Sequence, residues 1–171
     1  MPTLQTNNPT RKLAGKYLTF TLQGEAYGID VLKVREIIRH ANITSVPQMP
    51  PFVRGVINLR GKIIPVMDLR LRFGFPVTAD DEHACIVVVQ VTLRDGRAAP
   101  MGLMVDGVEE VISLADTDIE GTPNFGGQIC TAYLVGIAKV KGAIKALLDI
   151  DVVVGRDTLN QIDNSQPASP A

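Results

Sequence analysis

Catalysis needs a nucleophile beside a base, a metal-ligating cluster or a phosphate-binding loop. The chain holds fragments of each and a complete set of none. Its two histidines, His40 and His83, are not spaced as ligands, and both lie in polar stretches that read as exposed loops. Three acidic groups, Asp80-Asp81-Glu82, Asp116-Thr117-Asp118 and Asp149-Ile150-Asp151, carry oxygen ligands of the kind a hard cation takes. None has EF-hand spacing, so they read as turns and solvated faces. Gly126-Gly127 is not followed by the Lys-Ser/Thr of a phosphate-binding loop. Neither G-x-S-x-G nor H-E-x-x-H occurs. Cys85 and Cys130 are far apart and outside any C-x-x-C pattern, which predicts reduced core residues of a cytoplasmic protein. The expectation is a protein that is not an enzyme and holds no metal or cofactor.

Charge set within apolar sequence is more informative. Glu36 lies in a strand-like stretch, and Arg60 sits on a turn after V-I-N-L. Folded together they would form a charge-assisted pair, since a guanidinium matches a carboxylate with two parallel bonds. Such a pair is either a structural tie or part of an interaction site. Glu110 and Lys141 hold the corresponding places later in the chain. The connector Val46-Pro47-Gln48-Met49-Pro50-Pro51-Phe52, with its analogue Pro123-Asn124-Phe125, is either tucked over the core or exposed to a partner.

The elements that must position these residues occur twice. Residues 27–38 (YGIDVLKVREII) align without gaps on 101–112 (MGLMVDGVEEVI), matching Gly28 to Gly102, Val34 to Val108 and Glu36 to Glu110. Residues 55–74 likewise align on 136–155, matching Gly55 to Gly136, Gly61 to Gly142, Asp68 to Asp149 and Gly74 to Gly155. Two blocks recurring in order imply two copies of one β unit. Strands are expected at Tyr17–Leu22, Gly55–Leu59, Ile63–Met67 and Ile86–Leu93, the last buried on both faces. Turns are expected at Arg60-Gly61-Lys62, Val140–Gly142, Arg94–Arg97 and Asp106-Gly107. Pro65 suits an edge or a bulge better than a central strand. Asp68 is placed to cap a short helix at Leu69–Phe73; β-branched Val152–Val154 weaken the equivalent helix after Asp149. Residues 1–14 read as a flexible arm and 160–171 as a disordered tail, with copies at roughly 15–85 and 86–159 and possible exchange of strands between them. Many short strands with Gly and Pro turns point to a mainly β sandwich or barrel architecture.

Composition narrows the partners. A net charge of −1 gives no pull toward nucleic acid or anionic membrane. No apolar run approaches the ~20 residues of a membrane helix, and no signal-peptide pattern opens the chain.

The combination of YGIDVLKVREI, FVRGVINLRGKIIPVMDLR and GLMVDGVEEV over about residues 16–155 closely resembles the CheW family of bacterial chemotaxis coupling proteins. The resemblance implies two intertwined five-stranded SH3-like β-barrel subdomains. It also implies a non-catalytic adaptor that binds the cytoplasmic tip of chemoreceptors and the regulatory domain of the histidine kinase CheA. Such a protein is cytoplasmic, is recruited to membrane-associated receptor arrays and does not itself insert into the membrane. Carried over by position, the receptor-binding groove comprises Val31, Val34, Glu36, Ile37, Gly55, Arg60, Gly102, Val108 and Val111. The kinase or ring contact comprises Pro50, Phe52, Glu120, Pro123 and Phe125. Glu120 departs from the basic residue of the best-known members. A rival reading is a small barrel that binds nucleic acid or a small ligand, against which stand the charge and the few stacking aromatics. A detached domain of the CheV or CheA type is a third.

Overall fold

The computed structural model describes residues 13–39, 41–75, 84–93, 95–121 and 133–155. The expectations for His40, His83, Asp80–Glu82, Gly126-Gly127, Cys130, Pro123 and Phe125 fall outside these residues, as do most of the N-terminal arm and the C-terminal tail.

Copy one contributes β1 (Gly15–Leu22), β2 (Glu25–Asp30), a 3₁₀ turn (Val31–Lys33), β3 (Val34–Ile38), β4 (Val53–Leu59), β5 (Lys62–Asp68) and α1 (Leu69–Arg72). Copy two contributes β6 (Cys85–Thr92), β7 (Ala98–Val105), β8 (Gly107–Leu114), a 3₁₀ turn (Asp116–Asp118), β9 (Ile119–Glu120), β10 (Leu134–Val140), β11 (Ala143–Leu148) and α2 (Ile150–Val154). The protein is mainly β, as its alternating apolar runs dictate.

The strands sort into a six-stranded sheet, β8-β1-β2-β11-β10-β9, and a five-stranded sheet, β3-β6-β7-β5-β4. Each sheet therefore mixes strands of both copies. The mixing obeys the repeat: β2 runs parallel to β11 with Gly28 opposite Leu147, and β7 runs parallel to β5 with Gly102 opposite Val66. Leu147 and Val66 are themselves repeat equivalents. Both glycines are closely packed: a Cβ on Gly102 would lie 2.8 Å from Ile86 Cγ2 on β6 and 3.3 Å from Val66 Cγ2 across the parallel ladder, and one on Gly28 3.0 Å from Leu147 Cδ2. Strand β9 has no full counterpart in copy one; the single bridge Thr44–Val56 stands in its place, which is why one sheet has the extra strand.

The hairpins at Gln23-Gly24, Arg60-Gly61 and Lys141-Gly142 have positive φ at both central residues, the type I′ geometry that follows the twist of the flanking strands. Asp106-Gly107 behaves differently from its sequence signal. Neither residue takes positive φ, and the chain passes there from β7 in one sheet to β8 in the other without a hairpin. In copy one the same crossing uses the 3₁₀ turn Val31–Lys33. Pro65 also departs from expectation. It lies in β5, which has neighbours on both sides, yet the parallel ladder to β7 begins only at Val66. At Pro65 itself the strand pairs only with β4, so the missing N–H costs no ladder bond to β7.

Both helices form behind aspartate caps: Asp68 accepts from the Arg70 N–H and Asp149 from the Asp151 N–H. Helix α2 forms despite its three valines, because Val153 and Val154 are fully buried and packing overrides propensity. Each sheet wraps its own apolar cluster. Ile57, Ile64, Val66, Ile86, Val88 and Met104 fill the five-stranded sheet, and Tyr17, Leu114, Ala138 and Leu147 fill the six-stranded one. The largest cluster lies between the sheets and takes in Phe20, Leu22, Met67, Val87, Val89, Leu103, buried Cys85 and both helices.

Candidate interaction surface

The edge strands β3 and β8 carry most of the expected groove. In β3 the register shifts at Arg35: Val34 lies opposite Val89, Glu36 opposite Val88 and Ile37 opposite Val87. This bulge puts Val34 and Ile37, three residues apart, on the face that looks into the inter-sheet core, and turns Glu36 to the other. Strand β8 repeats the device, with Val108 opposite Phe20 and Val111 opposite Leu18. Val34 and Val108 are half-buried against the inter-sheet core. Ile37 and Val111 continue the same faces into solvent, 42% and 51% exposed. The molecule thus shows two equivalent apolar strips, each anchored by a valine and ending in an exposed aliphatic side chain.

Glu36 and Arg60 form the pair that their sequence context suggests. Arg60 Nη1 donates to Glu36 Oε2 at 2.7 Å and Nη2 to Oε1 at 3.3 Å. Arg60 is on the β4–β5 hairpin and Glu36 is on β3, at the opposite edge of the same sheet, so the fork ties the wrapped sheet across its opening. The pair is 76% and 27% exposed at its two side chains, so its Coulomb energy is screened. The second copy does not repeat it. Glu109, one residue before Glu110, pairs instead with Lys145 at 3.1 Å, and Lys139 pairs with Glu120 at 2.7 Å.

The remaining groove residues are placed differently. Gly55 and Gly102 are buried and offer no open surface. A Cβ at Gly55 would collide with the Thr44 carbonyl oxygen, and the backbone there has a φ of +146°. Val31, in the 3₁₀ turn, lines a separate cavity with Tyr17, Asp30 and Leu32. Of the second surface, Phe52 is half-buried against the inter-sheet core beneath the Arg72 guanidinium, 4.7 Å from its ring centroid. The Pro50 carbonyl accepts the Val53 N–H at 2.9 Å. Glu120 is exposed on β9.

Sequence reading missed the strongest polar feature. Asp68, with no exposure, receives Arg70 Nε at 3.0 Å, Arg70 Nη2 at 2.9 Å and Arg54 Nη1 at 2.9 Å. Arg70, itself only 4% exposed, also donates to Asp106 at the crossing between the sheets. The one signal in the sequence was an arginine set between Leu69 and Leu71, on a face that must be buried. Among the described residues no group of His, Cys, Asp or Glu is arranged to hold a metal. Asp118 caps Ala115, and Asp151 accepts the Thr92 N–H, so both of these acidic groups serve the backbone.

Two duplicated, strand-exchanged sheets with apolar strips on their edge strands define a protein-interaction module. The chain belongs to the family of the CheW-like domain, whose family model matches residues 16–157. It is 36% identical to the chemotaxis protein CheW of Klebsiella aerogenes, over 90% of this chain and 92% of that one. It is 30% identical to the chemotaxis protein CheW of Thermotoga maritima, over 84% of this chain and 90% of that one. The fold matches the crystal structure of the scaffolding protein TtCheW from Thermoanaerobacter tengcongensis with a TM-score of 0.73 and 36% identity, over 84% of this chain and 94% of that one.

Proposed function

We propose that this chain is a non-catalytic adaptor of chemotaxis-type signal transduction that couples chemoreceptors to the histidine kinase CheA. The observation that carries the reading is the pair of equivalent strips, Val34 with Ile37 and Val108 with Val111, on the edge strands of the two sheets. An amphipathic helix docks through apolar contacts flanked by a few polar anchors, and Glu36 with Arg60 stands beside one strip as such an anchor. The receptor tip is the helical partner in this reading, and the kinase regulatory domain is met through the second surface around Pro50, Phe52 and Glu120. Membership of the CheW-like family supports it, as does the scaffolding role in the name of the TtCheW structure. Among the described residues no helix is long and apolar enough to cross a membrane, in keeping with a cytoplasmic protein recruited to receptor arrays. The test is sedimentation of the purified protein with a receptor-tip fragment and CheA. Co-sedimentation with both partners, and receptor-dependent kinase activity only when the protein is present, is the expected result. Kinase control that is indifferent to the protein would refute the reading.

A further inference from the structure

We propose that the mouth of the five-stranded sheet is a socket for a glutamate side chain presented by a partner protein. A cavity of about 420 Å³ opens there, lined by Leu59, Ile64, Val88 and Gln90 and rimmed by Arg35, Glu36, Arg60 and Lys62. Three cations face one carboxylate. Glu36 is taken up by Arg60. Neither Arg35 nor Lys62 makes an ion pair with a described residue. The socket is therefore mainly aliphatic inside, with Gln90 as a polar group, and cationic at its rim.

The other sheet shows what such a mouth accepts. The repeat places Lys145 where the five-stranded sheet has Ile64, and Glu109 where it has Arg35. Lys145 is buried on the same face of β11 as Leu147. It runs its aliphatic stem along the interior and meets Glu109 at 3.1 Å. That mouth carries its own plug, an aliphatic stem ending in a charge opposite to that of the rim residue. The five-stranded sheet lacks the plug, because Ile64 is too short to reach the rim. Its rim residue has the reverse charge, since Arg35 stands at the cavity where the other sheet has Glu109. The occupant that completes it is an aliphatic stem ending in a carboxylate, and arginine binds carboxylate with two parallel bonds. A glutamate side chain has that form. The socket shares Glu36 and Arg60 with the proposed receptor-facing surface and so deepens the adaptor reading, but its peptide test reads this cavity alone, without receptor or kinase.

The probe is an acetylated, amidated tripeptide with glutamate between two leucines, titrated into the isotope-labelled full chain at low salt and followed by amide chemical shifts. Expected are saturable shifts around Arg35, Ile64, Val88 and Gln90, and at least tenfold weaker binding when glutamine replaces the glutamate. Arg35→Glu is expected to lose the glutamate peptide and to accept its lysine counterpart. Arg35→Glu with Ile64→Lys rebuilds the self-plugged mouth and is expected to take neither peptide. Shifts elsewhere, equal binding of the glutamine peptide, or an unchanged preference in Arg35→Glu would overturn the proposal. Free glutarate binding as tightly as the peptide would overturn its assignment to a protein partner.

Discussion

Arg70 and Asp151 hold equivalent positions in the two copies and carry opposite charges, yet each ties its helix to a crossing between the sheets. Arg70 reaches Asp106 at 3.3 Å, where β7 passes into β8. Asp151 receives Lys33 at 3.4 Å, where β2 passes into β3. The duplication has kept the tie and exchanged its charges. The two ties differ in burial. Arg70 also serves fully buried Asp68, whereas the Lys33 side chain is 37% exposed.

That difference sets the first prediction. Arg70→Met strips the guanidinium fork from a buried carboxylate and should lower unfolding free energy by about 3–5 kcal/mol. Asp151→Asn keeps an acceptor for the Thr92 N–H and loses a partly solvated pair, so it should cost less than about 1 kcal/mol. Urea denaturation of both variants measures the contrast, and equal losses would contradict it.

Arg60→Gly should leave the thermal midpoint unchanged or slightly raised. The Glu36 pair it removes is solvated and worth less than about 1 kcal/mol. The positive φ of residue 60, here 52°, costs a non-glycine side chain a similar amount, about 1 kcal/mol. If the pair serves signalling, receptor-dependent kinase control fails in this variant at undiminished stability.

Gly102→Ala should destabilise by about 1–3 kcal/mol through overpacking. Its Cβ would meet Ile86 Cγ2 at 2.8 Å and Val66 Cγ2 at 3.3 Å, both branch methyls fixed near the backbone. Gly28→Ala should cost less, because its nearest neighbour is the far end of Leu147, which can turn aside. Calorimetric midpoints rank the two.

Tyr27 is held above the ordinary tyrosine range by burial and secondarily by the charge of Glu25. Its folded form keeps the phenolic proton while the unfolded chain loses it at about pH 10. Stability contributed by Tyr27 is therefore present below that value and lost as pH rises through the folded pKa. Unfolding free energy of wild type should fall more steeply above pH 10 than that of Tyr27→Phe. Parallel curves would refute the assignment.

Ile37→Asp and Val111→Asp should abolish binding of a receptor-tip fragment in pulldown while circular dichroism and unfolding midpoint change little. Val34→Asp and Val108→Asp are poorer probes. Both residues pack on the inter-sheet core, so a carboxylate there also costs stability, about 1–3 kcal/mol. Retained binding in both exposed-site variants would remove the strips from the interface.

Features set by near neighbours were legible in the sequence. Arg60-Gly61 makes a tight turn because glycine admits positive φ, and Asp68 caps α1 because its carboxylate reaches an N–H two residues on. The Glu36–Arg60 pair was legible because each residue stands out in an apolar strand context. Features set by distant neighbours were not. Asp106-Gly107 carries a hairpin signal but crosses between sheets, since the path of the chain after β7 is decided by which strand lies free to pair with β8. Arg70 gave little sign of its role: nearby Asp68 reads as a helix cap, and the burial that turns Arg70 onto it and onto Asp106, a whole strand pair away, is set by tertiary packing.

The sequence by itself determined that the chain is a duplicated β unit, where its helix caps and glycine hairpins such as Arg60-Gly61 and Lys141-Gly142 lie, and which family it belongs to. These rest on backbone sterics, side-chain periodicity and a repeat read along the chain. Only the tertiary structure decided that the two copies exchange strands, that the bulges at Arg35 and in β8 put Ile37 and Val111 on the outer continuation of the core, and that one mouth is plugged by Lys145 while the other stays open. Those depend on pairing between segments far apart in sequence. A shift of one residue in register exchanges inside for outside, and no local pattern fixes that choice.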